Sequence, residues 1–158
     1  MRFGRVGADL FNLLPGLAMN LFRALTTIAA ALLLLPLSAG AADLRVTVSN
    51  GPAAPATLYV ALFDSPESFA TDKSLAAQTL PLRDGSAQLV FSGLPPGRYM
   101  LKSFADENGN GKLDTNLVGL PTERYGFSND AEGRMGPPGF DAASVPLDAD
   151  SSIAFRLH

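Results

Sequence analysis

Alternating apolar and polar residues are the main pattern in residues 43–158, and they predict β-strands. In residues 43–49, Leu44, Val46 and Val48 share one face and polar or charged side chains the other, which is typical of a strand with one buried face. Strand patterns recur in residues 57–63, 78–83, 86–91, 98–105, 143–147 and 152–157. About seven short strands with almost no helix predict an all-β fold, a single antiparallel β-sandwich.

Turn residues predict how these strands connect. Asp84-Gly85 is a strong signal for a two-residue hairpin, so residues 78–83 are expected to pair with residues 86–91. Pro81 lacks an amide hydrogen, which places the first of these strands at a sheet edge.

The second half of the chain gives two further expectations. Tyr99 follows a tight Leu-Pro-Pro-Gly corner, as in the tyrosine corner of immunoglobulin-like sandwiches, where the hydroxyl bonds to upstream backbone. The alternative is a tyrosine that only packs. Residues 143–147 and 152–157 are expected to form a last strand pair around the turn at residues 148–150.

The first 42 residues have the pattern of a secretory signal peptide containing a short signal helix. Residues 24–37 are almost entirely apolar, Arg23 precedes them, and Ala39-Gly40-Ala41 supplies a cleavage pattern. A transmembrane anchor fits less well, because it needs roughly 20 apolar residues. Cleavage near Ala41 or Ala42 predicts a periplasmic or secreted domain of residues 43–158, with Met19 as an alternative start.

Composition narrows the classes of partner. Removing Arg2, Arg5, Arg23 and Asp9 with the leader takes the formal charge from −3 to −5, and an acidic domain lacks the electrostatic pattern of a nucleic-acid binder. The sequence has no cysteine, which excludes thiol catalysis and thiolate metal sites. No part of residues 43–158 is predicted to span a membrane.

Residues 104–138 form the longest segment without a clear strand or helix period, and they hold the candidate metal site. Oxygen-bearing side chains stand at relative positions 1, 3, 5 and 9 and a glycine at position 6, as in the first part of an EF-hand calcium loop. The candidate ligands are the side chains of Asp106, Asn108, Asn110 and Asp114 and the backbone carbonyl of Lys112.

Position 12 of this pattern is Leu117, where a calcium loop has a bidentate glutamate. The missing acid predicts weak binding, although Glu107 or Glu123 could complete a site. The alternative is that the glycines and amides only form a turn whose side chains cap local backbone.

Residues 124–129 are a candidate interaction surface, which combines a guanidinium, two aromatic rings and amides. The proposed contacts are Arg124, Tyr125, Phe127 and Asn129. In the alternative interpretation, the two rings anchor a long loop to the domain.

Catalysis is not expected from these residues. The only histidine is His158, the last residue, and neither G-x-S-x-G nor H-E-x-x-H occurs. A carboxylate pair such as Asp106 with Glu123 could serve a glycoside hydrolase, and this is the enzymatic alternative.

Three runs within residues 106–140 carry a resemblance to a family: DENGNGKLDTN at 106–116, GLPTERYGFSNDA at 119–131 and GPPGF at 136–140. They closely resemble the DUF2141 family of small exported bacterial proteins. The resemblance implies export, a single small domain and a shared loop, and it implies no substrate. A histidine often precedes the first aspartate in that family, whereas this chain has Ala105 there, which puts in doubt any metal or acid-base role of such a histidine.

Residues 91–99 are also similar, at the level of the fold, to the strand-corner-strand unit of transthyretin-like and collagen-adhesin B-type sandwiches. Such a likeness carries no function.

The leading hypothesis is therefore an exported, non-catalytic sandwich domain whose long loop binds an envelope or extracellular protein or a glycan. In this hypothesis a weakly held calcium ion orders the loop. The first alternative is a structural or accessory envelope protein in which the loop is a brace. The second is the carboxylate-dependent glycan hydrolase.

Overall fold

The structure is a computed structural model that describes residues 40–158, and within them eight β-strands form two sheets. The predicted signal peptide and the alternative start at Met19 lie outside these residues, apart from residues 40–42. The strands are β1 (Ala42–Ser49), β2 (Ala56–Phe63), β3 (Ala76–Leu82), β4 (Ala87–Leu94), β5 (Gly97–Asp106), β6 (Tyr125–Phe127), β7 (Val145–Leu147) and β8 (Ser151–Arg156).

Two short α-helices and one 3-10 helix complete the described elements. Helix α1 (Pro66–Ala70) begins where the Ser65 side chain accepts a hydrogen bond from the Ser68 amide, which satisfies one free donor of the first turn. Helix α2 (Phe140–Ala143) precedes β7, and the 3-10 helix (Ser128–Asp130) follows β6.

The smaller sheet has the order β4-β1-β8 and the larger one β3-β2-β5-β6, with β7 also paired to β5. The prediction of antiparallel strands is wrong for one pairing, because β8 runs parallel to β1. The other described pairings are antiparallel. The parallel pair arises because the chain leaves β7 in one sheet and enters β8 in the other, where one edge of β1 is free.

The predicted hairpin at Asp84-Gly85 forms only as a turn. Both residues have positive φ, and the Arg83 and Ser86 backbones exchange two hydrogen bonds of 2.9 Å. Beyond them the strands separate, since β3 pairs with β2 and β4 with β1. The expected edge position of Pro81 is confirmed, because β3 is the outer strand of its sheet.

The predicted pairing of residues 143–147 with residues 152–157 is also wrong, since β7 pairs with β5 and β8 with β1. Leu147 and Phe155 are both buried in the main hydrophobic cluster. Placing each strand in a different sheet therefore still buries the apolar residues of both.

Buried residues of both sheets form this main cluster, among them Leu44, Val46, Leu58, Leu101 and Phe155. Alternate residues of β2 and β5 point to the other face of the larger sheet, where a second cluster forms from Phe63, Met100, Phe127, Phe140 and Ala143. The Tyr99 hydroxyl donates to the Pro95 carbonyl at 2.7 Å, so the expected bond to upstream backbone is present. Within residues 40–158, the structure contains no helix with the length and apolar character needed to cross a membrane.

Candidate functional site

Residues 104–138 are more structured than the sequence pattern indicates. Their first three residues end β5, residues 125–127 form β6 against that strand, and the 3-10 helix follows. Three residues are too few to show a period, which is why the sequence did not predict β6. The irregular part that remains begins at Asp106 and returns to the sheet at Arg124, whose carbonyl accepts from the Ala105 amide at 2.8 Å.

Asp106 is the centre of the turn that follows β5, and it is only 3% exposed. Its Oδ1 accepts from the Gly109 amide at 2.7 Å and the Asn110 amide at 3.2 Å, and its Oδ2 accepts from the Gly111 amide at 2.8 Å. Both glycines have positive φ, 78° and 75°, a conformation that glycine adopts without steric cost. The Asn-Gly-Asn-Gly run thus wraps the backbone around one carboxylate.

These contacts decide the acidity of Asp106. Burial alone would raise its pKa, because it disfavours the charged form. The amides of Gly111, Gly109, Asn110 and Asn108 stabilise the carboxylate and together hold its pKa below the ordinary value of 3.8.

Asn108, Asn110 and Asp114 meet on the exposed side of the same turn. The Oδ1 of Asn108 accepts from the Asn110 amide at 3.0 Å, and the Oδ1 of Asn110 accepts from the Lys112 amide at 2.8 Å. The Nδ2 atoms of both asparagines donate to the Asp114 carboxylate. Three of the predicted ligand side chains therefore converge. The Oδ1 atoms of both asparagines, however, already accept hydrogen bonds from backbone amides.

Glu123 joins the two ends of the turn, and it is 8% exposed. Its Oε1 accepts from the Glu107 amide at 2.9 Å and its Oε2 from the Asp114 amide at 3.0 Å. The sequence proposed Glu123 as an outside contributor without showing what it contacts, since the contact spans 16 residues. In the structure it lies against the loop that lacks an acid at position 12.

The carboxylates of this loop have no cationic partner among the described residues. Within residues 40–158, no Lys, Arg or His nitrogen lies within 4.0 Å of the carboxylate oxygens of Asp106, Asp114 or Glu123. In the same part of the chain, no three His, Cys, Asp or Glu side chains are arranged as a metal site. A cation here would therefore depend on amide and backbone oxygens as well as carboxylates.

Residues 115–122 (TNLVGLPT) form a projection that the sequence analysis did not identify, here called the apolar finger. Leu117, Val118 and Leu120 are 106%, 78% and 61% exposed. The position-12 residue of the calcium pattern thus points into solvent. The sequence did contain a signal for this projection, because these eight consecutive residues have no charged side chain although the loop around them is polar.

The four candidate interaction residues are joined to the body of the domain. Arg124 donates to the Asn50 carbonyl at 2.8 Å, and Asn129 donates to the carbonyls of Ala142 and Ser144. Phe127 is 7% exposed within the second cluster, and Tyr125 packs beside it. Their contacts are those of anchors, and a role in recognition stays a prediction.

The carboxylate pair of the enzymatic alternative is occupied by backbone. All four oxygens of Asp106 and Glu123 accept main-chain hydrogen bonds. The backbone of His158 is hydrogen-bonded to that of Tyr125.

Asp106 predicts a specific acid sensitivity of folding. Because its folded pKa is lowered, its carboxylate stabilises the fold at pH values above about 3.8, and this contribution is lost as the pH falls through the folded pKa. The variant Asp106→Asn should unfold at a lower temperature than wild type at pH 7, with the difference shrinking as the pH falls below the ordinary value of 3.8. Circular dichroism melts across this range measure it.

The exposed residue Asp141 gives the control, since Asp141→Asn should leave the unfolding midpoint at pH 7 close to that of wild type. A difference between Asp106→Asn and wild type that shows no dependence on pH over the whole acid range in which both proteins fold would contradict the assignment.

Comparison with known proteins adds the family. No curated protein and no solved structure matches the chain. The family described as an uncharacterized protein conserved in bacteria, DUF2141, matches residues 46–154, which cover more than half of the chain and include the whole loop. The chain therefore belongs to the DUF2141 family.

Proposed function

We propose that this protein is an exported, non-catalytic binding domain whose loop is ordered by a weakly held calcium ion. Cleavage after Ala41 fits the fold best, because Ala42 is the first residue of β1 and is 2% exposed in the main cluster. Cleavage one residue later would remove a core side chain.

The fold we propose is a β-sandwich of the immunoglobulin or transthyretin-like type. Its support is the main cluster shared by both sheets, and the tyrosine bond at the corner before β5. The parallel pairing of β1 with β8 is its departure from a fully antiparallel arrangement.

The negative charge of the loop is the observation that supports calcium binding. Asp106 and Glu123 are buried carboxylates, Asp114 joins them through the same turn, and no cationic side chain in residues 40–158 compensates them. Backbone amides stabilise both buried carboxylates but leave the net negative charge of the cluster in place, and Ca²⁺ prefers oxygen ligands such as carboxylates, amides and backbone carbonyls. A bound cation would neutralise this cluster.

The ligands would be those of the sequence pattern, with Glu123 in place of the missing acid. Asp106, Asp114 and Glu123 would supply carboxylates, and Lys112 its carbonyl. The amides of Asn108 and Asn110 now face Asp114 with their nitrogens. Coordination by these side chains would need a half turn about the last side-chain bond, which exchanges nitrogen for oxygen and gives up the bonds that the Oδ1 atoms accept from the Asn110 and Lys112 amides.

The alternative, a loop that serves only as a brace, has its own support. Every buried side-chain nitrogen or oxygen in residues 40–158 has a hydrogen-bond partner without any ion. Such a loop is complete as it stands and would not respond to calcium.

Thermal unfolding separates the two proposals. A ligand that binds only the folded state stabilises it by RT ln(1 + [L]/Kd), or about 1.4 kcal/mol at ten times Kd. We expect millimolar calcium to raise the midpoint by several degrees relative to chelator. Scanning calorimetry in calcium, in magnesium and in chelator measures this.

Variants test whether the effect belongs to this loop. Asp114→Asn should abolish the response, while Asp141→Asn, an exposed carboxylate on α2, should retain it. A wild-type midpoint unchanged by millimolar calcium would remove the ion and leave the brace.

A further inference from the structure

We propose that the apolar finger inserts its tip into the interface of a lipid bilayer and so docks the domain reversibly on a membrane. This inference names the partner of the proposed binding surface and rests on that role of the loop, but it does not require calcium. Its first support is exposure, because three large aliphatic side chains stand within four residues and are 61–106% exposed. Large apolar side chains that are exposed together, unlike those scattered singly, are a feature of interaction sites.

The finger is preformed. Thr115 and Pro121 form a β-bridge, and the Asn116 amide donates to the Leu120 carbonyl at 2.8 Å. The Oδ1 of Asn116 accepts from the amides of Val118 and Leu120 at 3.1 and 3.0 Å. These bonds hold the apolar side chains outward, so they do not collapse on the domain.

The base of the finger is fixed to the buried part of the loop. The Thr122 amide donates to the Asp114 carbonyl at 2.9 Å, and Glu123 binds the Asp114 amide. Glu123, which joins the two ends of the turn around Asp106, therefore also holds the base of the finger.

The size of the tip favours lipid over protein. A stable protein interface buries roughly 800 Å² on each partner and about 20 residues, which three side chains at a narrow tip cannot supply. A bilayer interface needs no complementary pocket, and it accepts apolar side chains without charge. The finger has no charged residue, and the charged residues that flank it, Asp114 and Glu123, are joined to each other at its base.

The expected affinity is low. The three side chains carry about eleven aliphatic carbons, fewer than a myristoyl chain, which alone gives only reversible binding near 10⁴ M⁻¹. The net negative charge of residues 43–158 disfavours anionic lipid, so zwitterionic vesicles are the appropriate probe.

The absence of cysteine permits a test at single positions in the full chain. A polarity-sensitive fluorophore is attached through Val118→Cys on the finger, or through Val90→Cys, an exposed valine of β4 in the other sheet. Phosphatidylcholine vesicles, with and without lipid-bound nitroxide quencher, are added in calcium and in chelator. Because each label reports its own position, binding through the leader does not obscure the result.

The finger label should shift to shorter wavelength and be quenched by the nitroxide, while the β4 label should change little. Adding Leu117→Ser and Leu120→Ser should weaken the response about tenfold or more. Insertion in either calcium or chelator supports the inference, whereas the calcium proposal is decided separately by the thermal midpoint. An unchanged finger label, or equal changes at both positions, would overturn the inference. A shift that appears on raising the protein concentration without lipid would also overturn it, and would indicate a second copy of the chain as the partner.

Discussion

Replacing Gly126 by alanine is expected to lower the free energy of unfolding by about 3 kcal/mol or more. A Cβ atom at this position would overlap the Arg156 carbonyl oxygen. That oxygen belongs to backbone, so no side-chain rotation can relieve the contact. Strands β6 and β8 would have to move apart, which would break the two hydrogen bonds between Tyr125 and His158.

Urea titration of wild type and Gly126→Ala measures the effect. The control is Gly139→Ala, because Gly139 has φ of −67° and space for a methyl group. Since Gly139 is the N-cap of α2, where glycine is preferred to alanine, this change should cost no more than about 1 kcal/mol. Equal stability of the two variants would show that β6 and β8 do not approach as described.

Replacing Glu123 by alanine is expected to cost about 2–4 kcal/mol of unfolding free energy, since each hydrogen bond to a charged group contributes roughly 1.5–3 kcal/mol and water reaches part of the loop. The change leaves the Glu107 and Asp114 amides without their partner. Amide hydrogen exchange at these two residues should accelerate more than at Gly109, which binds Asp106 instead.

Glu107→Ala is the matched control, because its carboxylate is exposed while its amide still reaches Glu123. It should change stability by less than about 0.5 kcal/mol. If calcium binds as proposed, Glu123→Ala should also remove the thermal response to calcium, and Glu107→Ala should keep it. Equal effects of the two variants would contradict the role assigned to Glu123.

Local sequence determined much of the scaffold. Strand patterns placed seven of the eight strands to within a few residues, because a period of two is visible where one face is buried and a continuous apolar run, as in residues 57–63, is typical of a central strand. The edge position of Pro81 and the bond from Tyr99 to upstream backbone also followed from single residues with special geometry. The match to DUF2141 over residues 46–154 confirms the resemblance seen in the loop motifs.

The pairing of strands was decided by contacts between residues that are far apart in the sequence. Asp84-Gly85 forms the turn that its sequence indicates, yet β3 and β4 enter different sheets. The parallel partnership of β8 with β1 joins residues about 107 positions apart, as in the hydrogen bond from Asn50 to the Leu157 carbonyl. No local pattern encodes which free edge such a strand will meet.

The loop shows the same division. By itself, the spacing of Asp106, Asn108, Asn110 and Asp114 indicated a turn with oxygens on its inner side, because glycine and asparagine have strong local preferences. Only the tertiary structure brought Glu123 to the Glu107 and Asp114 amides, buried Asp106 to 3% exposure and left Leu117 fully in solvent. Burial and contacts between distant residues depend on how the whole chain folds. They determine which carboxylates are buried without a cationic partner and which apolar side chains face solvent.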